Sequence, residues 1–371
     1  MRLTIASDRR ASIFALAFVA IVFWSATAGA QVTPAAGYVP PDDTPSIKVG
    51  VTIFADYTVQ QKPKIVDVDG NEVTLSAFNV ARSYINVTGN ISHLIAFRVT
   101  PDIAREAGTG SSLTGSQTFR LKYAYGQFVL DDWLNRGSWV RVGMQQTPWV
   151  DFMESLWRYR FQGTILEDRE GYLSSSDTGV SMRYNLPGNY GDVHGGFYNG
   201  ETYTRPEVNN QKAFMIRGTL RPIRMHPVLR GLRLTGFYDH DAYVKDAERK
   251  RAIGAVTFEH PHLNASFNYF TGTDQARAAA ASVDSSGFSA WITPKTLNGW
   301  EAVLRYDQLQ PNDDVDAKRK RVIGGVAYWF PKQGTVSSAI LVDVDQTRSV
   351  GFAVPVATNR RIAAHMLFNW Q

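Results

Sequence analysis

The stretch Arg361-Ile362-Ala363-Ala364-His365-Met366-Leu367-Phe368-Asn369-Trp370 decides the fold. Ile362, Ala364, Met366, Phe368 and Trp370 share one parity, and Arg361, Ala363, His365, Leu367 and Asn369 the other. Side chains on a strand change face at every residue, so this segment has an apolar side and a mostly polar side. Working back from it, the same alternation recurs in about sixteen short segments, the pattern of a transmembrane barrel whose outer face meets hydrocarbon and whose interior meets water. Residues 47–58 set Val49, Val51, Ile53, Ala55 and Tyr57 against Lys48, Thr52 and Asp56. Residues 94–100 oppose Ile95, Phe97 and Val99 to Arg98, and 118–130 oppose Phe119, Leu121, Tyr123 and Tyr125 to Arg120 and Lys122. Residues 262–271 and 299–309 follow the same rule, with Leu263, Ala265, Phe267, Tyr269 and Trp300, Ala302, Leu304, Tyr306 on their apolar faces. Residues 78–88 are poorly patterned and read as a strand mainly because their neighbours need a partner.

The connections fit a barrel. Leu186-Pro187-Gly188-Asn189 and Pro331-Lys332-Gln333-Gly334 carry tight-turn chemistry. The stretches 60–77, 103–117, 147–175 and 273–286 are long and polar and read as loops. Tyr57, Trp139, Tyr184, Trp329 and Trp370 stand near strand ends, where an interfacial aromatic girdle belongs. The fold expected is therefore all-β, an antiparallel transmembrane barrel of about sixteen strands over residues 47–371. A soluble β-sandwich also alternates, but with its apolar face inward. The run of alternating segments to an aromatic-rich end favours the barrel.

Ahead of it, residues 1–30 read as a signal peptide. Arg2, Arg9 and Arg10 precede the apolar run 11–24, and Ala28-Gly29-Ala30 supplies a cleavage site after Ala30. That apolar run falls short of the ~20 residues that span a bilayer core. Residues 31–46, with Pro34, Pro40, Pro41 and Pro45, read as a linker. Cysteine is absent, which excludes disulfides and thiolate metal sites. The formal charge is +5, falling to +3 without Arg2, Arg9, Arg10 and Asp8, too mild and too dispersed for nucleic acid.

A charge facing lipid at mid-membrane costs ~2–4 kcal/mol for Arg or Lys, so charges opposite each apolar face are expected inside. The basic pore-lining candidates are Arg98, Arg120, Lys122, Arg141, Arg183, Arg217, Arg233 and Arg305, with Arg82 beside them. The acidic candidates are Asp177, Asp239, Glu259, Glu301, Asp307, Asp343 and Asp345. The bases concentrate early in the chain and the acids late, so two opposed walls of charge are expected. Guanidinium groups replace part of an anion's hydration shell and stay charged at any accessible pH. The segment 147–175 holds Trp149, Trp157 and Tyr159 with Asp151, Glu154, Arg158, Arg160, Glu167 and Asp168, and is expected to fold inward as a constriction loop.

Catalytic chemistry finds little footing. His226, His240, His260 and His262 are scattered, Glu259-His260 lacks a helical partner, and no Gly-x-Ser-x-Gly elbow occurs. Asp313, Asp314 and Asp316 read as a solvated loop rather than a calcium site. No enzyme, metal or cofactor is expected.

Two stretches, Phe78-Asn79-Val80-Ala81-Arg82-Ser83-Tyr84-Ile85 and Arg141-Val142-Gly143-Met144-Gln145-Gln146-Thr147-Pro148-Trp149, resemble the sixteen-stranded porins of Gram-negative outer membranes, most closely the phosphate-selective porin O and P type. That resemblance implies a homotrimer in outer-membrane lipid, passing small anions or other hydrophilic solutes by passive diffusion. Two departures stand out: 147–175 contains no lysine, unlike phosphate-specific members, and Gln371 follows the terminal aromatic Trp370. Two other readings remain, a plugged structural or adhesive barrel and an outer-membrane barrel enzyme.

Overall fold

The computed structural model describes residues 42–108, 110 and 112–370. The expected leader and most of the 31–46 linker lie outside the described residues. Sixteen strands occur among those described. They are β1 Ser46–Val66, β2 Glu72–Asn90, β3 Ile95–Arg105, β4 Gln117–Val129, β5 Trp139–Gln146, β6 Ser176–Asn185, β7 Gly191–Tyr198 and β8 Ala213–Leu220. The second half comprises β9 Leu232–Ala242, β10 Glu248–His260, β11 Leu263–Asp274, β12 Val283–Pro294, β13 Trp300–Gln310, β14 Lys318–Trp329, β15 Val336–Val350 and β16 Asn359–Trp370. Each pairs antiparallel with its chain neighbours, and β16 pairs with β1, so the sheet closes on itself with no free edge. Closure satisfies every ladder without a disulfide.

The alternation read from the sequence is the barrel's inside and outside. On β13, Glu301, Val303, Arg305, Asp307 and Leu309 are buried, while Trp300 and Leu304 are half-exposed on the other face. On β16, Ala363, His365 and Leu367 point in, and Met366, Phe368 and Trp370 point out.

Two β-bulges overturn part of the strand reading. In β2, Phe54 pairs with Arg82 but Ala55 pairs with Val80, so Ala81 is an extra residue. Below it Phe78 and Val80 face out, and above it Ile85 and Val87 do, so one strand carries two parities and looks unpatterned. In β4, Thr100 pairs with Tyr123 and Pro101 with Leu121, which makes Lys122 the extra residue. Phe119 and Leu121 therefore face out as expected, but Tyr123 and Tyr125 turn inward, where Arg98 and Arg141 lie over their rings.

Other expectations change as well. The stretch 60–77 is no loop: β1 and β2 run through it to a tight turn in which Asp67 accepts from the Asn71 and Asp69 backbone N–H groups. Trp370 does face outward at its strand end, whereas Tyr57 faces outward midway along β1 rather than near an end. Trp139 and Trp329 do not: they share the inward parity of Arg141 and Arg321, and Trp139 packs edge-on against His194 while Trp329 donates to Tyr159 Oη.

Candidate functional site

The segment 147–175 leaves β5 and returns to β6 through a closed neck, where Thr147 Oγ1 donates to the Ser174 carbonyl and Thr147 N–H to that of Ser175. Between these ends it forms two helices, α1 Pro148–Leu156 and α2 Leu166–Arg169. Proline at the first helical position suits α1, since it has no N–H to leave unpaired there, and Asp151 in the first turn complements the helix dipole.

The apolar side of this segment builds a core inside the barrel. Trp149 packs 5.9 Å from Phe237 of β9, and Trp157 lies 5.4 Å from Trp291 of β12. Tyr159 lies 5.9 Å from Trp329 of β14, and Phe161 lies 6.4 Å from Phe54 of β1. Trp149, Val150 and Trp157 are fully buried. These contacts reach inward-facing residues only, so the segment packs on the inner surface of the sheet.

Polar anchors complete the docking. Arg158 pairs with Glu301, which also accepts from Tyr159 Oη. Burial, with help from that carboxylate, pushes the Tyr159 hydroxyl up and keeps it a donor. Arg169 donates to Asp307 at 2.7 Å, Gln162 to Asp345 at 3.4 Å, and Arg305 to the Thr164 carbonyl at 3.0 Å. Glu170 pairs with Arg319. Glu167 differs from these: it accepts from the Asn268 amide at 2.6 Å, a neutral partner. Burial pushes its carboxyl up to about 7.

The basic candidates fall into two groups. On β2–β8 cations outnumber their carboxylate partners. Asp102, fully buried, is shared by Arg82 and Arg120. Asp192 is shared by Arg183, at 3.2 Å, and Arg217. Arg98 donates to Thr100 Oγ1 and Asn86 Oδ1, both at 2.9 Å, and Arg141 to Gln127 Oε1 at 2.8 Å and Gln146 Oε1 at 3.1 Å; neither has a carboxylate partner among the described residues. Lys122 is buried with its ammonium 5.1 Å from the Tyr84 ring centre and 5.5 Å from that of Tyr123. On β9–β16 the pairing is closer to one-to-one: Arg233 with Glu259 at 2.7 Å, and Arg305 with Asp307 at 2.9 Å. Asp345 is held by both Arg321 and Arg361.

The expectation of two opposed walls therefore needs correction. The later strands carry arginines as well as acids: Arg249 pairs with Asp241, Arg251 with Asp274, and Arg321 and Arg361 with Asp345, while Arg319 pairs with Glu170 of the inner segment, so the later strands are not a purely acidic wall. Chain position alone could not reveal this, because each pair forms across strands or with the inner segment. What survives is a one-sided surplus of cations on the early strands. Asp102 and Asp192, which divide that surplus, were not singled out from the sequence.

Facing the surplus is the polar edge of the inner segment. Glu154 and Arg160 pair at 2.6 Å. Together with Thr52, Tyr84, Asn86, Arg98, Thr100, Lys122 and Tyr123 they line a cavity of about 140 Å³. Glu154 is the only carboxylate among those lining residues. The Tyr84 hydroxyl is buried there without a hydrogen-bond partner among the described residues.

With this geometry in hand, comparison with known proteins is informative about the fold. No protein-family model matches the chain, and no curated protein matches its sequence. Solved structures do match. The anion-selective porin of Comamonas acidovorans superposes with a TM-score of 0.61 at 9% identity, covering 88% of this chain and 100% of that one. OmpT, an outer-membrane protein of Vibrio cholerae, gives 0.58 at 13% identity over 90% of this chain and 100% of its own. The outer-membrane channel DcaP of Acinetobacter baumannii gives 0.53 at 9% identity over 88% and 97%. The fold is that of the outer-membrane porins. Within this fold, the inner segment and the inward-facing cations of β2–β8 lie inside the barrel.

Proposed function

We propose that this chain forms a water-filled channel across a Gram-negative outer membrane, through which small hydrophilic solutes diffuse passively with a preference for anions. The observation that carries the proposal is the charge surplus on β2–β8: two carboxylates, Asp102 and Asp192, serve four arginines, while Arg98, Arg141 and Lys122 have none. Fixed cations in a narrow, partly low-dielectric passage attract anions and repel cations, and salt screens them only beyond a Debye length of ~8 Å at physiological ionic strength. In this reading the segment 147–175 is the constriction loop, and Arg98, Arg120, Lys122 and Arg141 are the wall that anions pass.

Export by a leader cleaved after Ala30 and assembly as a homotrimer belong to the same proposal. One in-vitro folded structure of V. cholerae OmpT, similar in fold, is described as a trimer form. Phosphate as a dedicated solute has weaker support, since 147–175 carries no lysine. Incorporation of purified protein into planar bilayers should give discrete current steps in potassium chloride.

A second reading has one observation in its favour. The inner segment packs by Trp149, Trp157, Tyr159 and Phe161 against β1, β9, β12 and β14, as a plug would. Folded, inserted protein that never carries current would select that structural role over the channel.

A further inference from the structure

Charged residues stand on the outward parity near the loop ends of several strands, among them Arg105 of β3 and the Lys250–Glu248 pair of β10, and one such group consists of cations alone. On β14, Arg319 and Arg321 turn inward to Glu170 and Asp345, so Lys320 between them faces out. On β15, Asp343 and Asp345 are buried inside, which puts Arg348 outside, and it is exposed. On β16, Arg361 reaches inward to Asp345 and the exposed Arg360 faces out. Lys320 stands directly opposite Arg348, and Arg360 directly opposite Lys62 of β1. Residues opposite one another in a ladder share a face and lie ~5 Å apart, and like charges so placed repel. None of the four has an ion-pair partner among the described residues. Asp316, the carboxylate nearest Lys320 in the chain, is taken by Lys318 at 2.7 Å.

The cluster's height on the wall is informative. Arg360 and Lys62 share a row with Gln346 and Val322, and the next outward row toward mid-barrel is Gly324, Val344 and Ile362. At the other end of β16 stands Trp370, ten positions from Arg360. Ten residues of a strand tilted by ~40° rise about 25 Å, the height of the apolar band of such barrels. The cations therefore stand at the far boundary of the band, level with lipid headgroups, with an apolar surface for acyl chains beneath them.

We propose that Lys320, Arg348, Arg360 and Lys62 form an outer-wall site for a membrane lipid with a phosphate in its headgroup. The phosphate oxygens would take the place of the missing carboxylates, with the acyl chains lying over Val322, Val344 and Ile362. Basic groups at a membrane boundary attract anionic lipid in this way. The proposal rests on the membrane-barrel reading but not on conduction or selectivity.

The test is native mass spectrometry of the full chain in non-ionic detergent, titrated with dioctanoyl phosphatidate, dioctanoyl phosphatidylcholine or inorganic phosphate. Phosphatidate should half-occupy the barrel at about ten-fold lower concentration than phosphatidylcholine. Combined Lys320→Gln, Arg348→Gln and Arg360→Gln should abolish that difference while far-UV circular dichroism stays unchanged, and Arg98→Gln with Arg141→Gln should leave it intact. Equal binding of the two lipids, a preference retained by the triple variant, or displacement of phosphatidate by equimolar inorganic phosphate would each overturn the proposal. The titration needs no current, so a barrel that does not conduct still reports on it.

Discussion

Arg169, closing the second helix of the inner segment, donates to the buried Asp307 carboxylate of β13 at 2.7 Å, across 138 residues of sequence. This bond links a connection between two early strands to the wall on the far side of the barrel. A segment held at both necks and at such anchors is a fixed obstruction in the lumen rather than a surface loop.

Arg169→Ala should loosen that obstruction. Asp307 would keep Arg305, so the barrel should still fold, with a loss of about 1–3 kcal/mol for an unmet partner of a buried charge. The urea midpoint in detergent micelles should fall. Single-channel traces should become noisier in the open state as the segment moves.

Docking of the same segment should depend on pH through Glu167. Its carboxyl is pushed up to about 7 from its ordinary value of 4.5, so the docked form binds a proton more tightly than the released form. Its contribution is then fully present below pH 4.5, is lost progressively as pH rises toward 7, and changes no further above that. The ceiling on the effect is ~3 kcal/mol. Hydrogen exchange across 148–170 should be faster at pH 8 than at pH 5, and Glu167→Gln should remove the difference. Equal exchange at both pH values in the native chain would show that Glu167 does not govern docking.

Gly143 leads β5 toward the segment with φ +121, a conformation side chains rarely adopt, and an added methyl would meet the Ala124 carbonyl oxygen of β4. Gly143→Ala should therefore destabilise the barrel by roughly 1–3 kcal/mol. The urea midpoint is the readout, and an unchanged midpoint would show that the β4–β5 ladder yields at no cost.

The strand alternation was legible because period two is a local property, and one face of each strand must be apolar. Strands β13 and β16 read correctly for that reason. Ala81 and Lys122 misled the reading because a bulge reverses parity without leaving a mark in composition, which concealed β2 and turned Tyr123 and Tyr125 the wrong way. The loop expected over 60–77 failed because long polar strands can project beyond an apolar band, and their residues then carry no oily face. The candidate cations were legible by type, but their partners were not. Whether Asp307 neutralises Arg305, Arg169 or both depends on where the inner segment docks, and that docking is set by aromatic contacts between distant strands.

The zero-current potential across a planar bilayer under a tenfold potassium chloride gradient tests the central claim most directly. The cation surplus on β2–β8 predicts chloride more permeant than potassium, with the ratio falling toward unity when Arg98 and Arg141 are both replaced by Ala. A potential of the opposite sign, with potassium the more permeant ion, would contradict it.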